Sequence, residues 1–174
     1  MTTSGIDFST LSLQDALDLA ILIEEEAKAR YEEFIRQMEL HHTAEAAAFF
    51  RHMAENEAKH GSELAERRAR RFENAPRRVT AAMLWDVEAP EYEQARAFMS
   101  HRQALLVALE SEKKARAFFA DAVKHVKDPE VKKLFQELGE EEAVHERLVS
   151  AELSKLPPEP DVEQSDYADE PVAQ

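Results

Sequence analysis

The chain has 174 residues, of which 44% are hydrophobic and 33% charged, with only three Gly and no Cys. This composition predicts one domain of amphipathic helices, because a sheet protein needs more turns. The net charge of -14 argues against a nucleic-acid partner, and the lack of Cys excludes disulfides, thiol catalysis and an iron–sulfur relay within this chain. No apolar stretch approaches the roughly 20 residues that cross a bilayer, and no basic leader precedes one, so we expect a cytoplasmic protein without membrane contact.

The first predicted helix spans about residues 12–40 and begins with Ser12 as its N-cap. Its apolar residues recur at alternating spacings of four and three, as in the stripe that one helix of a bundle buries. The stripe consists of Leu13, Leu17, Ala20, Glu24, Ala27, Tyr31, Phe34 and Met38. Glu24 is its one charged member, and a buried charge must be paired or metal-bound to be tolerated.

The second predicted helix spans about residues 44–71, and its stripe has two polar members. The stripe consists of Ala46, Phe50, Met53, Glu57, His60 and Leu64. The three-residue spacing of Glu57 and His60 puts both side chains on one helix face, where a carboxylate and an imidazole can hold one metal ion from the same side. Four Arg between residues 67 and 71 end the helix, and we interpret them as complementing the negative helix C-terminus.

A long connection follows at about residues 72–90, where Pro76, Trp85 and Pro90 occur without a helical stripe. A connection of this kind joins two helical hairpins in one of the known four-helix bundle topologies. We expect Trp85 to pack the connection onto the bundle rather than to bind a ligand.

The third predicted helix spans about residues 91–126. Its stripe consists of Phe98, His101, Leu105, Ala108, Glu112, Ala115, Phe119, Ala122 and Val126. Glu112 interrupts this stripe, whereas Glu110 points about 200° away from it round the helix. His101 lies three turns from Glu112, so we expect it in the core or at the end of the bundle rather than at a metal.

The fourth predicted helix spans about residues 129–155, since Asp128, Pro129 and Glu130 supply an N-cap, a first-turn Pro and a first-turn acid. Its stripe consists of Val131, Phe135, Leu138, Glu142, His145 and Val149, so a second Glu-x-x-His pair occurs. Residues 157–174 hold six acids and no Lys or Arg. We therefore predict a domain at residues 1–156 and a disordered acidic tail after it.

Chance alone does not account for the positions of these pairs. With 27 Glu and seven His, about one Glu three places before a His is expected, and there are three. The third pair, Glu39 with His42, lies off the stripes and serves as an internal control. The other two pairs stand where an apolar stripe should continue.

The two halves of the chain repeat one pattern. Aligning Glu24 with Glu112 matches ExxAxxRY to ExxAxxFF, and the FxxMxxxExxH segment that ends at His60 matches FxxLxxxExxH ending at His145. The chain thus contains two copies of one helical hairpin. We predict an all-α antiparallel four-helix bundle made of two hairpins joined by a long crossover.

Pairing the two hairpins about a pseudo-twofold axis brings four carboxylates and two imidazoles together in the core. Without metal, such carboxylates repel one another and take up protons. Two divalent ions would cancel the four negative charges. Mixed oxygen and nitrogen ligation suits iron or manganese, and also accepts zinc.

These motifs resemble the rubrerythrin branch of the ferritin-like di-iron carboxylate proteins over about residues 12–155. The resemblance rests on ExxAxxRY, ExxAxxFF and the two Glu-x-x-His pairs. It implies a ferritin-like bundle that binds two iron ions. The implied ligands are Glu24, Glu57, His60, Glu112, Glu142 and His145.

The resemblance also implies how these ligands share the metal ions. Glu57 and Glu142 would bridge the two irons, and Glu24 with His60 would complete one end of the site. Glu112 with His145 would complete the other end in the same way.

One residue outside the ligand set also matches the family. Tyr31 matches a tyrosine that the family carries beside its ligands, so the resemblance implies that it lies next to the metal site.

Two features depart from the rubrerythrins that reduce peroxide. Ala115 stands where they commonly carry an extra glutamate, and their Cys-rich rubredoxin domain is absent. The resemblance then implies a rubredoxin-free oxidoreductase that reacts with hydrogen peroxide or dioxygen, as a peroxidase or ferroxidase in iron handling or oxidative-stress defence. Electrons would come from an external donor or from ferrous iron, and a homodimer is implied.

Two other interpretations of the same residues stay open. One is a non-catalytic module that binds, stores or delivers iron. The other is a structural bundle in which the acids merely pair with Lys and Arg.

Overall fold

The computed structural model describes residues 7–80 and 99–157, which form an all-α fold without strands in these ranges. A 3-10 turn at Phe8–Thr10 precedes four helices: α1 at Leu13–Leu40, α2 at Ala44–Phe72, α3 at His101–His125 and α4 at Pro129–Lys155. The helix α1 packs along α2, and α3 packs along α4, with further contacts between α2 and α3 and between α1 and α4. The chain therefore folds as the four-helix bundle of two hairpins that the repeat predicts, and this is the ferritin-like fold that the resemblance implies.

Local capping fixes where the helices begin. Ser12 accepts a hydrogen bond from the Asp15 backbone N–H at 3.2 Å, as the sequence predicts. Asp128 accepts one from the Glu130 backbone N–H at 2.8 Å. These side chains satisfy donors that a helix start leaves unpaired, and each is typically worth about 1 kcal/mol.

The start of α3 differs from the sequence prediction. Met99 and Ser100 are not helical, and α3 begins at His101 instead of near residue 91. Ser100 has an extended backbone, its hydroxyl accepts from the Gln103 N–H at 3.1 Å, and the Gln103 side chain accepts from the Ser100 N–H at 2.9 Å. This reciprocal capping box begins a new helix and does not continue an earlier one. The predicted stretch 91–98, Trp85 and the tail 158–174 lie outside the described residues.

Two apolar clusters fill the bundle, one towards each end. The first cluster includes Leu17, Leu134 and Phe135, and the second includes Phe34 and Phe50. Every predicted stripe residue of α1 is buried: Leu13, Leu17, Ala20, Glu24, Ala27, Tyr31, Phe34 and Met38. Between the two clusters, the stripes of all four helices carry a carboxylate. The fold thus surrounds a polar layer with apolar core on both sides.

An ion pair in the first hairpin was not predicted. Asp18 is fully buried on α1 and accepts hydrogen bonds from Arg68 of α2, one of them at 3.3 Å. Arg68 also donates to the carbonyl of Ala75 at 2.6 Å, which ties the start of the crossover to the hairpin. The interpretation of the Arg cluster as a complement to the helix end is wrong for Arg68, because its guanidinium is buried against Asp18.

Among the residues that the structure describes, none of the helices is both long enough and apolar enough to cross a membrane.

Candidate metal centre

Six side chains from the four helices converge on the polar layer in two groups. One group comes from the first hairpin and the other from the second, and within each group the candidate ligand atoms lie within 4.8 Å of one another. The groups are Glu24, Glu57 and His60, and Glu112, Glu142 and His145. These are the six residues that the sequence singled out.

Each histidine faces two carboxylates through Nδ1. In the first group, Nδ1 of His60 lies 3.9 Å from Oε2 of Glu24 and 3.8 Å from Oε2 of Glu57. In the second group, Nδ1 of His145 lies 3.3 Å from Oε2 of Glu112 and 3.4 Å from Oε2 of Glu142. In each group the Glu and His of the Glu-x-x-His pair lie on one helix face, and the third acid comes from the other helix of the hairpin.

The four carboxylates are buried without enough partners. Glu24, Glu57, Glu112 and Glu142 are each at most 2% exposed. Seven side-chain atoms in the six residues lack a hydrogen-bond partner among the described residues. They are Oε2 of Glu24, both oxygens of Glu57, both oxygens of Glu112, Oε2 of Glu142 and Nδ1 of His145. Buried polar atoms are rarely left unpaired, so this set fits a bound cation.

The electrostatics of the two groups are shared. Burial raises the pKa of Glu24 well above its usual range, and repulsion from Glu57 and Glu142 adds to the effect. Burial also raises the pKa of Glu112 to about 8, against the opposing effect of His145. Burial favours the neutral ring of His145, but its contacts with Glu112 and Glu142 outweigh burial and raise the pKa of His145 to about 10. The metal-free site therefore holds protons that bound cations would displace.

The two histidines meet between the two hairpins. The ring centroids of His60 and His145 lie 4.8 Å apart, and their planes differ by only 7°. This contact joins α2 to α4 and brings the two ligand groups side by side. The donor set therefore suits a pair of adjacent ions rather than two isolated sites.

Three further residues were singled out in the sequence: Tyr31, Ala115 and His101. Tyr31 is fully buried and its ring stacks on Phe50 with centroids 5.9 Å apart, two helical turns from Glu24. Ala115 is also fully buried. His101 lies half-buried at the first turn of α3, where its ring centroid is 6.0 Å from that of Phe49. His101 thus belongs to the end of the bundle, as expected.

The control acids lie away from the site. Glu39 is exposed and pairs with Arg51 at 2.6 Å. Glu110 is exposed and pairs with Lys113 at 2.7 Å. His42 follows the end of α1 and is exposed. The Glu39 and His42 pair therefore has the spacing of the other two pairs without their position on a buried stripe.

Two mid-helix glycines allow close packing near the site. A Cβ on Gly61 would lie 3.4 Å from Cβ of Glu24, and a Cβ on Gly139 would lie 3.5 Å from Cβ of Phe119. Both helices run without interruption through these positions. Close helix contact thus accounts for both glycines, and Gly61 lets α2 approach the part of α1 that carries Glu24.

The fold and the donor set define a class of protein, a four-helix bundle with a paired carboxylate and histidine centre. Comparison of the sequence with protein families gives the same result, since the rubrerythrin family matches residues 15–97 and 103–173. The first segment contains α2 and all but the first two residues of α1, and the second contains α4 and all but the first two residues of α3. The chain belongs to the rubrerythrin family.

A solved structure with a similar fold is that of an uncharacterized conserved protein from Magnetospirillum magnetotacticum MS-1. It superposes with a TM-score of 0.67 and 28% sequence identity, and the match covers 87% of this chain and 100% of that chain. Comparison with curated proteins gave no match.

Proposed function

We propose that this chain is a non-haem di-iron oxidoreductase that reacts with hydrogen peroxide or dioxygen, as a rubrerythrin-like peroxidase or ferroxidase. The observation that carries the proposal is the set of four buried carboxylates with unpaired oxygens in the middle of the bundle. An uncompensated buried charge costs several kcal/mol, so the carboxylates need protons or cations. Two divalent ions bring four positive charges, which equals the number of carboxylates.

Within this proposal, the six residues divide the coordination of two ions. As the family resemblance implies, Glu57 and Glu142 would be shared by both ions. Glu24 with His60 would complete one end, and Glu112 with His145 would complete the other. Iron is the proposed metal, and manganese or zinc suits the same oxygen and nitrogen donors.

When bound, a pair of ferrous ions supplies the two electrons that, with two protons, reduce one hydrogen peroxide molecule to two water molecules. The chain positions and protects this chemistry. The apolar clusters above and below the polar layer exclude bulk water. The buried Tyr31 lies two helical turns from Glu24, and we propose that it holds the side chains around the ligands in place. Electrons are restored by an external donor or by fresh ferrous iron, since the chain has no Cys for an internal relay.

A role in iron handling or oxidative-stress defence suits a protein that consumes peroxide or dioxygen at ferrous iron. We propose a homodimer in the cytoplasm that binds neither nucleic acid nor membrane, consistent with the net charge of -14.

One observation favours a second candidate function, a non-catalytic module that binds, stores or delivers iron. Ala115 is buried where peroxide-reducing relatives commonly place a further carboxylate, so the site has one oxygen donor group fewer. A site of this kind can hold ferrous ions without rapid turnover.

Anaerobic loading with ferrous iron, followed separately by oxygen and by peroxide, tests the proposal. We expect two ions per chain and fast oxidation by one of the oxidants, followed by optical absorbance. Two ions without fast oxidation would favour the storage or delivery module. A wild-type chain that binds no metal would exclude both.

A further inference from the structure

The candidate metal centre reaches solvent through its histidines. The side chains of His60 and His145 are 16% and 13% exposed, whereas those of the four carboxylates are at most 3% exposed. Among the six residues, the stacked ring pair is therefore the part that separates the buried oxygens from water.

The contacts between α2 and α4 show which residues surround the rings. Along the two helices, Arg71 pairs with Glu130 at 2.9 Å, Arg67 pairs with Glu137 at 2.8 Å, and then the two histidines stack. Residue numbers rise along α2 as they fall along α4, so these two helices run antiparallel.

Glu63 and Glu141 lie between the last ion pair and the stacked rings. Glu63 follows His60 by three residues and Glu141 precedes His145 by four, so each lies beside a ring on its own helix. The antiparallel register places the two acids opposite each other. Both are exposed. We name this pair the rim carboxylates.

A second observation concerns the carboxylate that lies inward of the rim. Glu57 lies beneath the rings, 1% exposed, and neither of its oxygens has a hydrogen-bond partner among the described residues. Its Oε2 faces Nδ1 of His60 at 3.8 Å. The rim carboxylates are thus followed inward by a ring and then by an unpaired buried carboxylate.

The opposite side of the rings has a different character. In the same register, Asn56 of α2 faces Leu148 of α4, which is 59% exposed. We call the surface between α2 and α4 around the rings the crevice. Its side with Glu63 and Glu141 is acidic, and its side with Asn56 and Leu148 is neutral.

We propose that this crevice is the loading port for divalent metal, in which Glu63 and Glu141 bind the incoming cation briefly and parting of the stacked rings admits it to the buried carboxylates. This inference rests on the proposed metal centre and adds a transient metal site to it. Carboxylates at the mouth of a cleft raise the local cation concentration and the association rate, and salt screens the effect.

The test is the rate of Co²⁺ loading into the metal-free full chain, followed by stopped-flow absorbance at about 20 mM and about 0.5 M ionic strength. The rim variants are Glu63→Gln, Glu141→Gln and the double variant. The matched control is the double variant Glu66→Gln with Glu110→Gln, which removes the same charge from exposed positions outside the crevice.

We expect the double rim variant to load about 10-fold more slowly at low ionic strength, and the control to remain within about twofold of wild type. High salt should reduce the difference in loading rate between the double rim variant and wild type. The final metal content should be the same in all variants. Equal rates in the rim and control variants, or a slowing that salt does not reduce, would overturn the port. A wild-type chain that binds no Co²⁺ and no Fe²⁺ would instead overturn the metal centre itself, so the two failures are distinguishable.

Discussion

Nδ1 of His145 lies 3.3 Å from Oε2 of Glu112, closer than the 3.9 Å between the matching atoms of His60 and Glu24. The two hairpins therefore differ in how they hold charge without metal. In the second hairpin a protonated histidine and its acids stabilise one another, and the pKa of His145 is raised to about 10. This relationship makes the stability of the metal-free protein depend on pH.

We expect the metal-free protein to become less stable as pH rises from about 5 to about 8.5. A group whose pKa is raised by folding binds its proton more tightly in the folded state, so its stabilising effect is lost as pH rises. For Glu112 the loss runs from its usual pKa of 4.5 to its raised pKa of about 8, and for His145 from a pKa of 6.5 to about 10. Thermal unfolding at several pH values measures the slope.

Two further samples control this pH prediction. The Glu112→Gln variant should show a flatter slope, because it removes one of the titrating groups. Bound metal should reverse the trend, because metal ions require deprotonated ligands. Stability of the metal-free wild type that rises with pH over this range would contradict the prediction.

The proposed bridging roles lead to unequal effects of ligand removal. Removing Glu57 or Glu142 damages two coordination spheres, so Glu57→Ala and Glu142→Ala should lose both ions and almost all redox turnover. Removing Glu24 or Glu112 damages mainly one, and those variants should retain about one ion per chain. Metal analysis of the purified variants measures this, and full occupancy in Glu57→Ala would refute the site.

The control acids should have no effect on metal content. Glu39 pairs with Arg51 and Glu110 pairs with Lys113, and all four side chains are exposed. Neither acid lies on a buried stripe. We expect Glu39→Ala, Glu110→Ala and His42→Ala to bind as much metal as wild type, and to change stability by less than about 0.5 kcal/mol. Metal loss in any of them would show that acids outside the stripes take part.

Gly61 should tolerate a methyl group but not a large side chain. A Cβ at this position makes an ordinary contact of 3.4 Å with Cβ of Glu24, and Ala gains about 1 kcal/mol of helix propensity over Gly. We expect Gly61→Ala to fold and to keep its metal, whereas Gly61→Leu should displace Glu24 and lose metal from the first hairpin. Metal analysis and thermal unfolding are the measurements, with Gly139→Ala as the matched control.

The buried Asp18 and Arg68 pair should matter for stability only when it is broken on one side. Asp18→Ala leaves the Arg68 guanidinium buried without its acid and should cost about 3–5 kcal/mol. Replacing both members of a buried ion pair with apolar side chains of similar volume is often neutral or stabilising.

The double variant Asp18→Leu with Arg68→Leu should therefore be much closer to wild type than either single change. Urea unfolding of the three variants measures the coupling between the residues. Additive effects would show that the pair does not act as a unit.

The site was predictable because its signal is local and repeated. A buried stripe recurs with the helical period, so a charged residue in the stripe is visible in the sequence before any packing is known. All eight predicted stripe residues of α1 are buried, including Glu24. The repeat of the same interruption in both hairpins then separated Glu57 and Glu142 from the chance pair at Glu39.

The start of α3 was not predictable in the same way. The stripe pattern continues through Phe98, but the side chains of Ser100 and Gln103 form a reciprocal cap that begins the helix at His101. Short-range hydrogen bonds of this kind compete with helical periodicity, and the pattern of apolar residues does not record them.

The sequence by itself determined the helical class, the two hairpins and the six candidate ligands, because each depends on spacing within one helix or on the repeat. Only the tertiary structure decided which residues meet across helices. Asp18 lies at the edge of the α1 stripe, and its burial against Arg68 depends on how α1 and α2 are aligned. The stacking of His60 on His145 likewise depends on how the hairpins pack, because contact between distant segments is set by the packing of whole helices and not by local periodicity.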